Sequence, residues 1–216
     1  RAHSDQLQSV RQRIHDQQVN NDSVRWRKRH GRDAPGLERG SSNNAVLMTE
    51  LRIYATRDTG LETAPEPLLS TSNAVQISAE LKMRGIKFQR WPSKPELEQQ
   101  ARQERILEAY ASLIASVQEH EGYQTVDVMR VGSDQPNTSS LRQTFLQEHQ
   151  HPEDEVRFFV EGCGLFSLHI KDEVLQLICE ANDWITIPAG TRHWFDMGAN
   201  PNYCVIRFFK NSGGWV

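Results

Sequence analysis

The spacing of apolar and polar positions changes character twice along the chain. "ELRIYA" (50–55) alternates apolar and polar side chains as a short strand does, and "TGLETAPEP" (59–67) reads as a loop. "SNAVQISAELKMRG" (72–85) takes a helical period, with Ser72 or Asn73 as its cap and Gly85 as its stop. "IKFQRW" (86–91) predicts the next strand. After Trp91, Ser93 and Glu96 are spaced as a capping box with Pro95 in the first turn. Ile106, Tyr110, Leu113, Ile114 and Val117 then fall on one face of a long helix that Gly122 ends. "YQTVDVMRV" (123–131) alternates again, and "SSLRQTFLQ" (139–147) predicts a short helix.

Beyond Glu155 the helical period disappears. "VRFFVEG", "LFSLHIK", "VLQLICE", "WITIP" and "CVIRFF" read as short strands parted by Gly, Asp, Asn and Pro. Short strands at close, even spacing predict an antiparallel sandwich or barrel. The fold class is therefore α+β and mainly β: helices and edge strands first, a compact β-barrel after them.

Composition separates the front of the chain from the rest. Residues 1–47 carry nine Lys or Arg against five Asp or Glu, a net of +4, whereas the whole chain is at −3. Residues 48–216 therefore carry −7. The front segment, with its basic run "RWRKRHGR" (25–32), has only isolated apolar residues. It cannot bury enough surface to offset its ordering entropy, so a disordered or non-native extension is expected there. Met48 is the first methionine and stands where the strand pattern begins. It is the expected natural start of a domain spanning 48–216.

No apolar run is long enough to cross a membrane, and no secretory signal is visible. Three cysteines (Cys163, Cys179 and Cys204) form no CxxC pair and total an odd number, which fits a reducing, cytoplasmic setting. The modest acidity disfavours nucleic acid as a partner.

The chemistry concentrates in "EHQHPEDEVRFFVEG" (148–162). Side chains on an extended strand alternate faces, so His149, His151 and Glu155 would share one cavity if extension held through Pro152. Arg157 falls on the same face. A fourth ligand is offered by His193 in "PAGTRHWFDMG", after the turn made by Pro188 and Gly190. In a barrel, a strand four elements later can lie beside the first. Three imidazoles and one carboxylate leave an octahedral metal two open positions, and the absence of thiolates points away from a closed zinc site.

These two stretches resemble the paired motifs of the cupin superfamily: HxHxxxE, with Gly162 downstream, and PxGxxH. Asn182 and Met197 stand where that pattern often has Gly and Asn, and neither is a ligand. "EHQHPEDEVRFFVEGCGLF", "IPAGTRHWFDMG" and "NPNYCVIRFFKNSGGW" narrow the likeness to the acireductone dioxygenase family, over the chain from about Met48 onward.

That resemblance implies a cupin double-stranded β-helix (jelly-roll) barrel with flanking helices. It implies one Fe(II) or Ni(II) per monomer, held by His149, His151, Glu155 and His193. It also implies cleavage of 1,2-dihydroxy-3-keto-5-methylthiopentene (acireductone) by O2 in methionine salvage. The Fe(II) form of the family gives formate and 4-methylthio-2-oxobutanoate. The Ni(II) form gives formate, CO and 3-methylthiopropanoate. Arg157 is then the active-site arginine, and Phe145, Phe195 and Trp215 are the aromatic wall of the substrate pocket. Asp154 and Glu148 are expected to orient ligand imidazoles, and the family is commonly monomeric. The chain stops one residue after Trp215, short of the usual family tail. The alternatives are another metal-dependent cupin, an isomerase or a different dioxygenase, or an inactive cupin binding module. The phosphate-binding Lys or Ser groups of the sugar-phosphate isomerases are missing from the motif region.

Overall fold

A computed structural model describes residues 49–56, 66–91, 96–98 and 100–211. The front segment, Met48, Ser93, Pro95 and Trp215 lie outside the described residues. The strands are β1 (Glu50–Ala55), β2 (Leu69–Thr71), β3 (Lys87–Arg90), β4 (Thr125–Gly132), β5 (Glu155–Ile170), β6 (Glu173–Glu180), β7 (Asp183–Ile187), β8 (Arg192–Asp196) and β9 (Asn202–Phe209). The helices are α1 (Ala74–Met83), α2 (Gln103–Ala109), α3 (Ala111–Glu121) and α4 (Thr138–Phe145).

All pairings are antiparallel, and they make two half-sheets joined through β5. The C-terminal half of β5 pairs with β6 and β8, and β6 carries β1 and then β2. Its N-terminal half pairs with β7 and β9, which carry β3 and β4 at the edges. This curled, mostly β arrangement with flanking helices is the cupin-like fold expected.

Two stretches read as separate strands, "VRFFVEG" and "LFSLHIK", are one sixteen-residue strand. The reason is a bulge. Phe159 pairs with Val205 and Glu161 with Cys204, so Val160 is an extra residue and Gly162 takes φ of +71°. An extra residue reverses which parity faces inward. Phe159 and Phe166 accordingly line the same interior, while Val156, Phe158 and Val160 pack outward. Gly at 162 is required by contact as well as by φ: a Cβ there would stand 1.8 Å from the Asn202 carbonyl oxygen.

The interior core holds Leu51, Ile53, Phe88, Phe159, Leu168, Leu175, Ile185 and Val205, with Ile77 and Leu81 of α1 added from the side. A second core lies on the outer face. There α2 and α3 lay Ile106, Tyr110 and Val117 over Phe158, Trp184, Ile206 and Phe208.

The long helix predicted after Trp91 is shorter and broken. Glu96, Leu97 and Glu98 are not helical, and the helical stretch starts at Gln103 behind Arg102. Tyr110 then leaves helical geometry (φ −103°, ψ 12°) and separates α2 from α3. The apolar spacing survives because Tyr110 ends one helix and caps the next, keeping its ring edge-on to Phe158 at 5.2 Å. Gly122 ends α3 in the left-handed region as expected, and Asn73 caps α1 by accepting from Val75 and Gln76 N–H. Asn182 takes the left-handed region at φ 79°, a conformation that Gly adopts freely and Asn tolerates.

Gly162→Ala is expected to destabilise the fold by on the order of 3 kcal/mol, because it combines a left-handed backbone with a backbone clash. Urea unfolding should show a lowered midpoint, and an unchanged midpoint would contradict the bulge's role.

Candidate metal centre

Four potential ligand atoms, one each from His149, His151, Glu155 and His193, lie within 4.8 Å of one another. The three imidazole centroids are 4.5 to 5.2 Å apart. His193 sits on β8, three strands after β5, with its Cα opposite Leu168. Its meeting with the first motif is made by the backbone. His149 and His193 form an isolated antiparallel bridge with N–H···O distances of 2.9 and 2.8 Å. The Gly190 N–H adds a bond to the His151 carbonyl at 2.8 Å, tying the Pro188–Gly190 turn to the first motif.

Extension does not hold through Pro152, since Pro152 and Glu153 form a bend. The three residues still converge, because the bend and the bridge together set His149 and His151 beside the start of β5. Within β5 the parity argument holds, and Glu155 and Arg157 both face the cavity.

The imidazoles are oriented by carbonyls. His149 Nδ1–H donates to the Gln147 carbonyl at 2.7 Å, and His193 Nδ1–H to the Thr191 carbonyl at 2.8 Å. A carbonyl only accepts, so Nδ1 carries a proton in both rings and Nε2 is the atom turned toward the centre. Glu155 divides its two oxygens. Oε1 pairs with the Arg157 guanidinium at 3.1 Å, while Oε2 meets His193 Nε2 at 2.7 Å and His151 Nε2 at 3.2 Å. Arg157 also donates to the Val156 carbonyl at 3.0 Å.

Asp154 and Glu148 both have partners outside the four-residue cluster. Asp154 accepts from Ala189 N–H at 3.0 Å and from Lys210 Nζ at 2.9 Å, so it fastens the turn before β8 and touches no cluster imidazole. Glu148 accepts from Nδ1–H of His169, a histidine outside the four, at 2.9 Å. At His149 and His193 it is backbone carbonyls that orient the ring, which a sequence cannot display because every residue has a carbonyl.

The electrostatics follow from burial and these partners. Burial alone would raise the Glu155 carboxyl, but Arg157 and the bonds from His151 and His193 hold it well below the usual range. Burial depresses His149. At His193 burial also pulls downward, yet the bond to Glu155 outweighs it and the imidazole is raised. Burial lowers Arg157 despite Glu155, with the like charge of Arg207 adding to the effect.

A cavity of about 570 Å³ opens over the four ligands. Phe145, Phe159, Phe166 and Phe195 supply its apolar wall, and Met129, Tyr203, Val205 and Arg207 close the far side. Phe145 and Phe195 stand edge to face at 6.3 Å. Arg207 was not foreseen. It lies directly across from Arg157 in β9 and is forked onto Asp127 of β4 at 2.7 and 2.5 Å. A charge standing alone in the apolar run "CVIRFF" was the available signal. Burial pushes the Tyr203 phenol up, so it stays protonated.

The donor set fits a divalent transition ion: three neutral imidazole nitrogens and one carboxylate oxygen, clustered at a polar end of an apolar cavity.

Comparison with known proteins follows the same lines. The ARD/ARD′ family profile matches residues 52–216. Acireductone dioxygenase of Synechococcus sp. strain CC9311 is 80% identical over 78% of this chain and 88% of its own length. That of Synechococcus sp. strain RCC307 is 56% identical over 78% and 91%. A solved acireductone dioxygenase from Bacillus anthracis, with a cadmium ion in its active centre, superposes with a TM-score of 0.64. It is 28% identical and covers 79% of this chain and 98% of its own.

A metal needs neutral imidazoles, whereas Glu155 favours a proton on His193 in the metal-free protein. That proton-held pairing contributes stability fully below the ordinary histidine pKa and loses it as pH rises through the raised one. Ion binding should therefore expel a proton and weaken as pH falls through that raised pKa, which lies above the ordinary histidine value. Calorimetry in buffers of differing ionisation enthalpy counts the protons, and a pH-independent affinity from 5.5 to 7.5 would contradict the assignment.

Proposed function

Because this chain belongs to the ARD/ARD′ family of acireductone dioxygenases, we propose that it cleaves 1,2-dihydroxy-3-keto-5-methylthiopentene with O2 in the methionine salvage sequence, as a cytoplasmic monomer carrying one Fe(II) or Ni(II). The observation that carries the reading is the pairing of an open His3Glu set with a guanidinium bonded to its carboxylate. His149, His151, Glu155 and His193 would hold the ion, which when bound supplies Lewis acidity and a template for a chelating enediol.

The rest is done by side chains of this chain. The Arg157 guanidinium stays charged and holds an enolate oxygen, favouring the doubly ionised substrate over its protonated form. Its second partner, Glu155 Oε1, fixes it in place before substrate arrives. The Thr191 and Gln147 carbonyls keep His193 and His149 turned to the ion. Phe145 and Phe195 exclude water and accept the methylthio tail. Asp154 serves by holding the turn that delivers His193. Glu148 does so by bonding His169 beneath the first motif. With Fe(II) the products are formate and 4-methylthio-2-oxobutanoate. With Ni(II) they are formate, CO and 3-methylthiopropanoate. The shared ligand set serves both ions.

Anaerobic reconstitution with Fe(II) and Ni(II) separately, followed by product analysis on acireductone and O2, tests the reading. No turnover with either ion would overturn it. His151→Ala is expected to lose both metal retention and turnover. Arg157→Ala should retain metal yet lose on the order of 10²- to 10³-fold in kcat. Near-full activity of that variant would refute the role given to Arg157.

A further inference from the structure

Gly164 lies on β5 beyond the bulge, two residues before Phe166 and on the same inward face. Its φ is not in the left-handed range that five other described glycines occupy, so the backbone conformation does not demand glycine here. Space does. An ideal Cβ on Gly164 would stand 2.2 Å from Phe195 Cζ and 2.4 Å from its Cε2, against a normal carbon contact of about 3.5–4.0 Å. The tip of the Phe195 ring is seated in the gap that the missing side chain leaves.

Phe195 comes from β8, where its Cα is opposite Phe166. Its ring is bounded by Phe166 at 4.7 Å, Tyr203 at 5.5 Å and Phe145 at 6.3 Å, and its remaining side borders the cavity. The clash would fall on the far end of a side chain, whereas at Gly162 it falls on backbone. The ring therefore yields and the strand does not. With Phe166 and Tyr203 fixed beside it, the ring has the cavity to move into, by about 1.5 Å if normal contact is restored.

We propose that Gly164 is a positioning residue that sets how bulky a tail the cavity accepts, by letting Phe195 recess into β5. The inference deepens the proposed dioxygenase reading and rests on it for the identity of the substrate. The selected chemistry is the apolar chain attached to an enediol, remote from the reacting carbons. Filling the recess narrows the cavity without touching the metal ligands or Arg157.

The test compares Gly164→Ala, Phe195→Ala and the double variant. Steady-state kinetics would use acireductone and two analogues, one with a methyl tail and one with a tail two carbons longer. Gly164→Ala should keep its metal content and its kcat on the methyl-tailed analogue. Its kcat/KM for the long-tailed analogue, relative to the short, should fall roughly tenfold through KM. Adding Phe195→Ala should abolish that fall. Unchanged selectivity in Gly164→Ala overturns the proposal, as does a fall that persists once the ring is gone.

Urea midpoints of the metal-free proteins give a second readout independent of turnover. Gly164→Ala should lower the midpoint in the parent and leave it unaltered in the Phe195→Ala background. Equal lowering in both backgrounds refutes the seating of the ring, even if Gly164→Ala is too unstable to assay. Coupled midpoints with no activity on any enediol in the parent would sink the dioxygenase reading and leave the positioning intact.

Discussion

The centre depends on a carboxylate that is almost wholly removed from water. Glu155 can stay ionised there only because each oxygen has a cationic or proton-donating neighbour, Arg157 on one and the imidazoles on the other. A buried charge without a partner costs several kcal/mol, and a buried pair is tolerable only when the geometry satisfies both members. The arrangement thus couples two functions that could have been separate. The carboxylate that would hold an ion also holds the guanidinium, so the cluster and Arg157 form one rigid unit. Arg207 on the neighbouring strand would repel Arg157, and its fork onto Asp127 offsets that repulsion.

Strand β5 is what lets one unit serve both walls. It belongs to two half-sheets, and its single extra residue at Val160 reverses the inward parity midway. Without that reversal, Arg157 and Phe166 would point to opposite sides of the sheet. The polar end of the cavity and its aromatic end are therefore fixed relative to each other by covalent chain, not by packing between separate elements.

Much of this was legible in the sequence, and the failures share a cause. The clustering of His149, His151, Glu155 and His193 beside Arg157, Phe145 and Phe195 could be read because such chemistry is carried by side-chain type and short spacing. The positions of β6, β7 and β9 followed from periodicity. What escaped was set by backbone. The Tyr110 break, the joining of β5 across Gly162 and the carbonyls that aim His149 and His193 leave no distinctive residue type behind. A carboxylate beside a histidine in sequence suggests a partner for it, but Asp154, just past the bend at Pro152 and Glu153, bonds the Ala189 N–H and Lys210. Arg207 escaped because its relation to Arg157 spans fifty residues and exists only as strand register.

The spacing of the ligands has a bearing on how the protein folds. Three of the four cluster residues fall within seven consecutive positions, so an unfolded chain would already offer an ion a weak site. The fourth, His193, is 38 residues beyond Glu155 and arrives only when β8 docks on β5. An ion that binds both states stabilises the native one only by the difference in its affinity for them. The ion's grip on the fold is therefore the increment that His193 and the ordered geometry add, concentrated in the closure of β8 onto β5.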